Sequence, residues 1–181
     1  MKLQKLISKL EKHHKKKLDL SLGRTFNLLK KLGNPQDKLK NIITVVGTNA
    51  KASMCYSLKS ILNQAGYKTN LYTSPHLLSY TERYVFDDKE INEKDLIELL
   101  TDVEKTLGDN NATLFEILTC AFLKYAENFK DNINIIESGL FHQFDSTNVF
   151  KENLMTLIGV IHNDHFQWLE NKSIEGVIYE I

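Results

Sequence analysis

The stretch NIITVVGTNAKAS, residues 41–53, decides how this chain is read. Its first half, Ile42–Val46, is rich in β-branched residues and apolar on both faces, which suits a strand buried in a parallel sheet. The chain then turns at Gly47 and enters a helical pattern over 51–64 that stops near Gly66. A strand, a tight turn and a lysine opening a helix place backbone N–H groups around an anion. Gly47, Thr48, Asn49, Ala50, Lys51, Ala52 and Ser53 are therefore the candidate phosphate-binding residues. Lys51 would reach the β/γ-phosphates and the Ser53 hydroxyl would ligand magnesium. Taken alone the match is weak, because Ala50 and Ala52 stand where such a loop usually carries glycine.

The rest of the chain supplies the context. Helical spacing predicts helices over 2–16, 22–32 with Ser21 as cap, 93–106 capped by Asn92, and 114–129 opened by a Thr113–Glu116 capping box. SIEGVIYEI opens a last helix. Strands are predicted over 68–74, 133–137 and 154–161, with a hairpin around Asp87–Asp88. Strands alternating with helices of these lengths indicate an α/β fold with a mainly parallel sheet flanked by helices. Ligands in such sheets bind beyond the carboxyl ends of the strands. Four loops therefore matter most, over 47–53, 73–83, 137–148 and 161–165. They carry Ser74 and His76, then Glu137 with Asp145, Thr147 and Asn148, then Asp164 and His165. A carboxylate closing an apolar strand, as Glu137 does, is costly unless it meets a cation or donors. A hydroxyl, a carboxylate and an imidazole at strand ends beside a lysine loop form the constellation that a metal–nucleotide site needs.

Composition narrows the classes. With 181 residues, 42% hydrophobic and 25% charged, the chain is expected to form one domain with its own core. Net charge is zero, so nothing favours nucleic acid or an anionic membrane, and the basic run KHHKKK (12–17) reads as a solvated helix face. No apolar stretch approaches a membrane span, and the N-terminus lacks the apolar core of a secretory signal, so the default expectation is cytoplasmic. Cys55 and Cys120 fall inside amphipathic helices and read as buried free thiols.

Read together, LSLGRTFNLLKKLGNPQ, VVGTNAKAS, LNQAGYKTNLYTSPHLLSYTER, TLFEILTCAF, ESGLFHQFDSTN and DHFQWLE occur in the order of a known family. The chain resembles the N-terminal, ATP-binding domain of folylpolyglutamate synthase/dihydrofolate synthase, a branch of the Mur ligase family. GYKTNLYTSPHL followed by Glu82–Arg83 separates this folate branch from the cell-wall branch, the runner-up among enzymes. The resemblance implies a P-loop-type mononucleotide-binding fold like the central domain of Mur ligases. It implies a ligase that uses ATP and Mg2+ to convert a folate or dihydropteroate carboxylate to an acyl phosphate, which the amine of L-glutamate then attacks. It also implies roles: Lys51 holds phosphates, Ser53 and Glu137 hold magnesium, and Ser74 and His165 serve a second magnesium with Glu137. Lys51 and His165 become the candidate catalytic residues.

Departures from the family pattern carry their own expectations. The family's G-T-N-G-K-G-S has Ala50 and Ala52 in place of two glycines. If position 50 needs a left-handed backbone, alanine there costs ~1–2 kcal/mol. In ESGLFHQFDSTN, Phe141 and His142 replace glycines and Gln143 replaces an arginine, and His162 fills a further glycine position. Ile181 stands where the family has a lysine described as carbamylated. The chain is expected to be a truncated form, residues 1–181, lacking the family's C-terminal domain, which helps to hold nucleotide and glutamate. Impaired independent ligase activity follows as an expectation. The alternatives are a non-catalytic nucleotide- or folate-binding remnant, or half of a split ligase whose C-terminal domain comes from a separate chain.

Overall fold

The computed structural model describes residues 2–13, 21–162, 166, 169 and 171–181. The helices are α1 (Leu3–His13), α2 (Gly23–Lys31), α3 (Lys51–Gln64), α4 (Glu93–Leu107), α5 (Leu114–Ala126) and α6 (Ile174–Glu180). The strands are β1 (Ile42–Val46), β2 (Thr69–Tyr72), β3 (Tyr84–Phe86), β4 (Lys89–Glu90), β5 (Ile133–Glu137) and β6 (Met155–Ile158). Two expectations fall partly on undescribed residues. The basic run past His13 lies outside the described residues, and so does the Asp164–His165 pair.

These strands form one sheet in the order β4-β3-β2-β5-β1-β6. β2, β5, β1 and β6 run parallel, and β3 and β4 join as an antiparallel hairpin. This is the expected α/β architecture. β1 is buried along its whole length, as its two-sided apolar composition requires. The hairpin turns on Asp87 and Asp88, both with positive φ (49° and 67°), the backbone of a two-residue turn that matches strand twist. Lys59 and Lys68 pair with these two aspartates and tie the turn to the α3 side.

Alternation along the strands gives each sheet face a different layer. Tyr72, Tyr84, Phe86 and Ile136 face α1, α2, α4 and α5, where Phe122 sits 4.9 Å from the Tyr72 ring and 5.1 Å from Phe86. Burying one such phenyl group stabilises the fold by about 1.5–3 kcal/mol. The two buried tyrosine hydroxyls are satisfied: Tyr84 donates to the Leu118 carbonyl at 2.9 Å, and Tyr72 meets Thr119 at 3.1 Å. On the opposite face Val45, Leu71, Val85 and Ile135 pack under α3 with Cys55. Cys55 and Cys120 are both free and buried.

Differences from the sequence reading sit at element ends. Ser21 does not cap α2, because the helix starts at Gly23 and its capping position is Leu22, which makes no side-chain cap bond. The helix expected over 114–129 ends at Ala126 and finishes with a tighter 3₁₀ turn, Glu127–Phe129. The strands expected over 68–74 and 154–161 pair only over Thr69–Tyr72 and Met155–Ile158. Their remaining residues leave the ladder to build the loops at the sheet's carboxyl edge.

Candidate nucleotide and metal site

The loop after β1 is shaped by close backbone contact. Gly47 has φ +128°, and a Cβ on it would lie 3.1 Å from three backbone atoms of Gly159, so glycine is needed for both conformation and space. The Thr48 and Asn49 N–H groups both donate to the Val160 carbonyl, at 2.9 and 3.2 Å. Two amides expected to cradle an anion are thus spent on the strand-β6 segment. The amides of Lys51, Ala52 and Ser53 remain, since the first turn of a helix has no intrahelical acceptors. Lys51 Nζ folds back to the carbonyls of Gly47 (2.8 Å) and Thr48 (3.3 Å), and Ser53 is exposed on the first turn of α3.

Ala50 is the residue just before α3, with φ 66° and ψ 5°. This is the left-handed conformation, so the alanine is strained as anticipated. Ala52 lies inside the helix, where alanine is favoured. The two Gly-to-Ala departures are therefore not equivalent.

Glu137 ends β5 and is 3% exposed. Its Oε2 accepts the Ser74 N–H at 2.9 Å. Burial raises its pKa, and the Ser74 N–H, Lys51 and Arg83 oppose that rise. Ser74 is thus brought directly to Glu137, with the Lys51 charge close by. Among the described residues no group of three or more His, Cys, Asp or Glu forms a metal cluster. A cation here would depend on the hydroxyls of Ser53 and Ser74 as well as Glu137.

The 137–148 loop is organised by a residue the sequence reading noted only as polar. Asp145 is buried and accepts from Gly139 N (3.1 Å), Leu140 N (3.0 Å), Thr147 N (2.9 Å) and Thr147 Oγ1 (2.5 Å). Burial raises its pKa, and these four donors counter it. Phe141, at a family glycine position, has φ +55°, so it joins Ala50 as a replaced glycine with a left-handed backbone. His142 meets Ser138 Oγ through Nδ1 at 3.1 Å, and burial lowers its pKa against the pull of Asp145.

α6 closes over this region, which nothing in the sequence signalled. The Glu180 carbonyl accepts the N–H groups of His142 (2.8 Å) and Gln143 (3.0 Å). Val177 and Ile181 join Gly47, Thr48, Lys51, Gly139 and Phe141 around a cavity of about 10 Å³. That volume holds about one water. In this arrangement little room is left between α6 and the start of the phosphate loop.

On the other side of Glu137 the TSPHL loop is held by its own acids and bases. Glu82 accepts the N–H groups of Leu77, Leu78 and Ser79 at 2.8, 2.8 and 2.6 Å. His76 Nδ1 accepts from Arg83 Nε at 2.9 Å, and its ring lies 4.2 Å from that of Tyr80. These contacts give His76 a structural role in the loop. Burial, then Arg83, lower its pKa.

No protein-family profile matches the chain. The chain is 35% identical over 163 residues to the dihydrofolate synthase/folylpolyglutamate synthase of Escherichia coli, a match covering 90% of this chain and 38% of that protein. Its fold superposes on Escherichia coli FolC in complex with DHPP and ADP with a TM-score of 0.91 at 33% identity, covering 99% of this chain and 43% of that one. The Yersinia pestis bifunctional enzyme complexed with AMPPNP and Mn ion gives a TM-score of 0.89 at 32% identity, with coverages of 99% and 43%. The chain thus spans about two-fifths of the length of the relatives it matches. Motif order, sheet topology and these likenesses agree that the chain belongs to the dihydrofolate synthase/folylpolyglutamate synthase family, matching the N-terminal part of its members.

Proposed function

We propose that the chain supplies the nucleotide- and metal-binding part of an ATP-dependent ligase that joins L-glutamate to a folate or dihydropteroate carboxylate. The observation carrying this reading is Glu137: a buried carboxylate with one oxygen on the Ser74 N–H, lying beside the Lys51 loop. A buried acid whose pKa is raised by desolvation is a natural partner for a divalent cation, so the residues fit magnesium. Glu137, Ser74 and Ser53 would hold it, with His165 assigned by family likeness. A bound magnesium ion offsets charge between triphosphate and carboxylate.

This chain's own residues do the rest. Lys51 turns from the Gly47 and Thr48 carbonyls to the phosphates, and the first amides of α3 cap them. The acceptor carboxylate oxygen attacks the γ-phosphorus, an acyl C–O–P linkage forms, and ADP leaves with the electron pair of the broken bond. The amine of glutamate then displaces phosphate. Because the chain spans two-fifths of its relatives, glutamate binding is assigned to sequence outside it, continuous with it or on a separate chain.

A second reading has its own support. Left-handed Ala50 and Phe141, and a cavity of about 10 Å³ at the loop mouth, favour a weakened nucleotide site and slow or absent ligation by this chain alone. Calorimetry of the full chain with ATP, with magnesium and then with a chelator, tests the first reading. Metal-dependent binding is expected, and binding that ignores the metal, or none, refutes it.

A further inference from the structure

The two edges of the sheet are built differently. At one edge β4 is only Lys89–Glu90, both exposed and charged. A short charged edge keeps other chains from pairing with it. β6, at the other edge, has no such protection. Between Glu152 and His162 the sequence NLMTLIGVI carries no charge and no proline. Leu154 and Ile158 are each 63% exposed, and Met155 is 49% exposed. Among the described residues no strand lies beyond β6. An uncharged apolar strand with a free backbone edge is a template for one more strand.

The backbone fixes how that strand would pair. Leu154 turns its N–H to the Ile42 carbonyl of β1 at 2.8 Å. Backbone groups of successive residues point to opposite sides of a strand, so Thr156 also faces β1, whereas Met155 and Leu157 turn theirs outward. Further on, Gly159 donates inward to the Val46 carbonyl, and the Val160 carbonyl takes the Thr48 and Asn49 N–H groups, which ends the free edge. The open stretch is therefore centred on Thr156. A second copy related by a two-fold axis beside Thr156 puts Met155 of each chain opposite Leu157 of the other, as hydrogen-bonded pairs. Leu154 then lies opposite Ile158 of the second copy, and Thr156 lies opposite its own equivalent. Exposed apolar side chains meet one another and no like charges oppose, so the strand is complementary to itself.

We infer that β6 pairs antiparallel with β6 of a second copy of this chain, joining the two sheets into one. A single strand edge buries less than the ~800 Å² per partner of a standard interface, so the dimer is reversible and depends on concentration.

The test is sedimentation equilibrium of the full chain from low to high micromolar concentration. The samples are the unmodified protein, Thr156→Lys, Thr156→Glu, and an equal mixture of the two variants. Thr156 is exposed and lies outside the nucleotide and metal site described above. The unmodified chain is expected to dimerise. Either variant alone sets like charges opposite each other and should weaken the dimer about tenfold or more, and the mixture should restore it. Should a Thr156 variant not fold, Ile158→Lys is expected to show the same weakening. Monomer at every concentration for the unmodified chain would overturn the inference and leave the β6 edge to a strand of a different protein. A dimer that neither variant weakens would also overturn it and move the contact elsewhere, for example to the exposed Ile178 and Tyr179 of α6. So would variants that dissociate but do not recover in the mixture, because the pairing would not be centred on Thr156.

Discussion

Replacing Ala50 by glycine should stabilise the protein, whereas the same change at Ala52 should destabilise it. Ala50 has φ 66° and ψ 5°, so its Cβ carries the left-handed penalty of ~1–2 kcal/mol. Glycine removes that penalty but adds freedom to the unfolded chain worth ~0.5–1 kcal/mol. The net gain is roughly 0.5–1 kcal/mol. For a chain of this size that is about 1–4 °C in Tm. Ala52 sits in the first turn of α3 with ordinary helical geometry, and glycine there loses up to ~1 kcal/mol of helix propensity. Urea unfolding of both variants, with unchanged m, reads the two signs directly. A loss at both positions would mean that residue 50 does not hold a left-handed backbone, and the argument that this loop is strained would fail.

Further outcomes follow from the same geometry. Gly139→Ala should lose ~1–3 kcal/mol by overpacking, because its Cβ would lie 2.7 Å from the Phe115 ring and 2.9 Å from Asp145 Oδ2; chemical denaturation measures it. Phe141→Gly relieves a positive φ at the expense of a half-buried ring, so stability should change by no more than ~1 kcal/mol. The same variant widens the cavity over Lys51, and calorimetry should show tighter Mg-ATP binding. Glu137→Gln is expected to raise Tm near neutral pH in the absence of divalent cation, and to abolish any rise in Tm that the cation gives. The sign follows from burial: a carboxyl whose folded pKa is raised stabilises fully below its unfolded value of 4.5, and that contribution disappears as pH climbs through the folded pKa. Thermal melts across pH, with and without Mn2+, check both parts.

Much of this was legible because local chemistry and fold agreed. Ile42–Val46 became the buried strand and Lys51–Gln64 the helix, since a two-sided apolar run and a lysine-led helical pattern leave few other placements. Asn92 and the Thr113–Glu116 box cap their helices as read, because a cap is a local motif. What stayed hidden was set by backbone atoms and distant chain. The Val160 and Glu180 carbonyls, which claim loop amides, carry no side-chain signature. The pose of Lys51 on its own loop depends on which acceptors are near, not on spacing. The family pattern did give one usable signal. Of the replaced glycines, Ala50 and Phe141 are the ones that hold positive φ.

The most direct measurement is anomalous diffraction from crystals of the full chain grown with Mn2+ and AMPPNP. The account predicts a manganese peak bonded to a Glu137 carboxylate oxygen and to the Ser74 or Ser53 hydroxyl, with Lys51 Nζ swung onto the phosphates. Manganese bound elsewhere on the surface, with the Glu137 carboxylate bare beside an occupied phosphate loop, would contradict it.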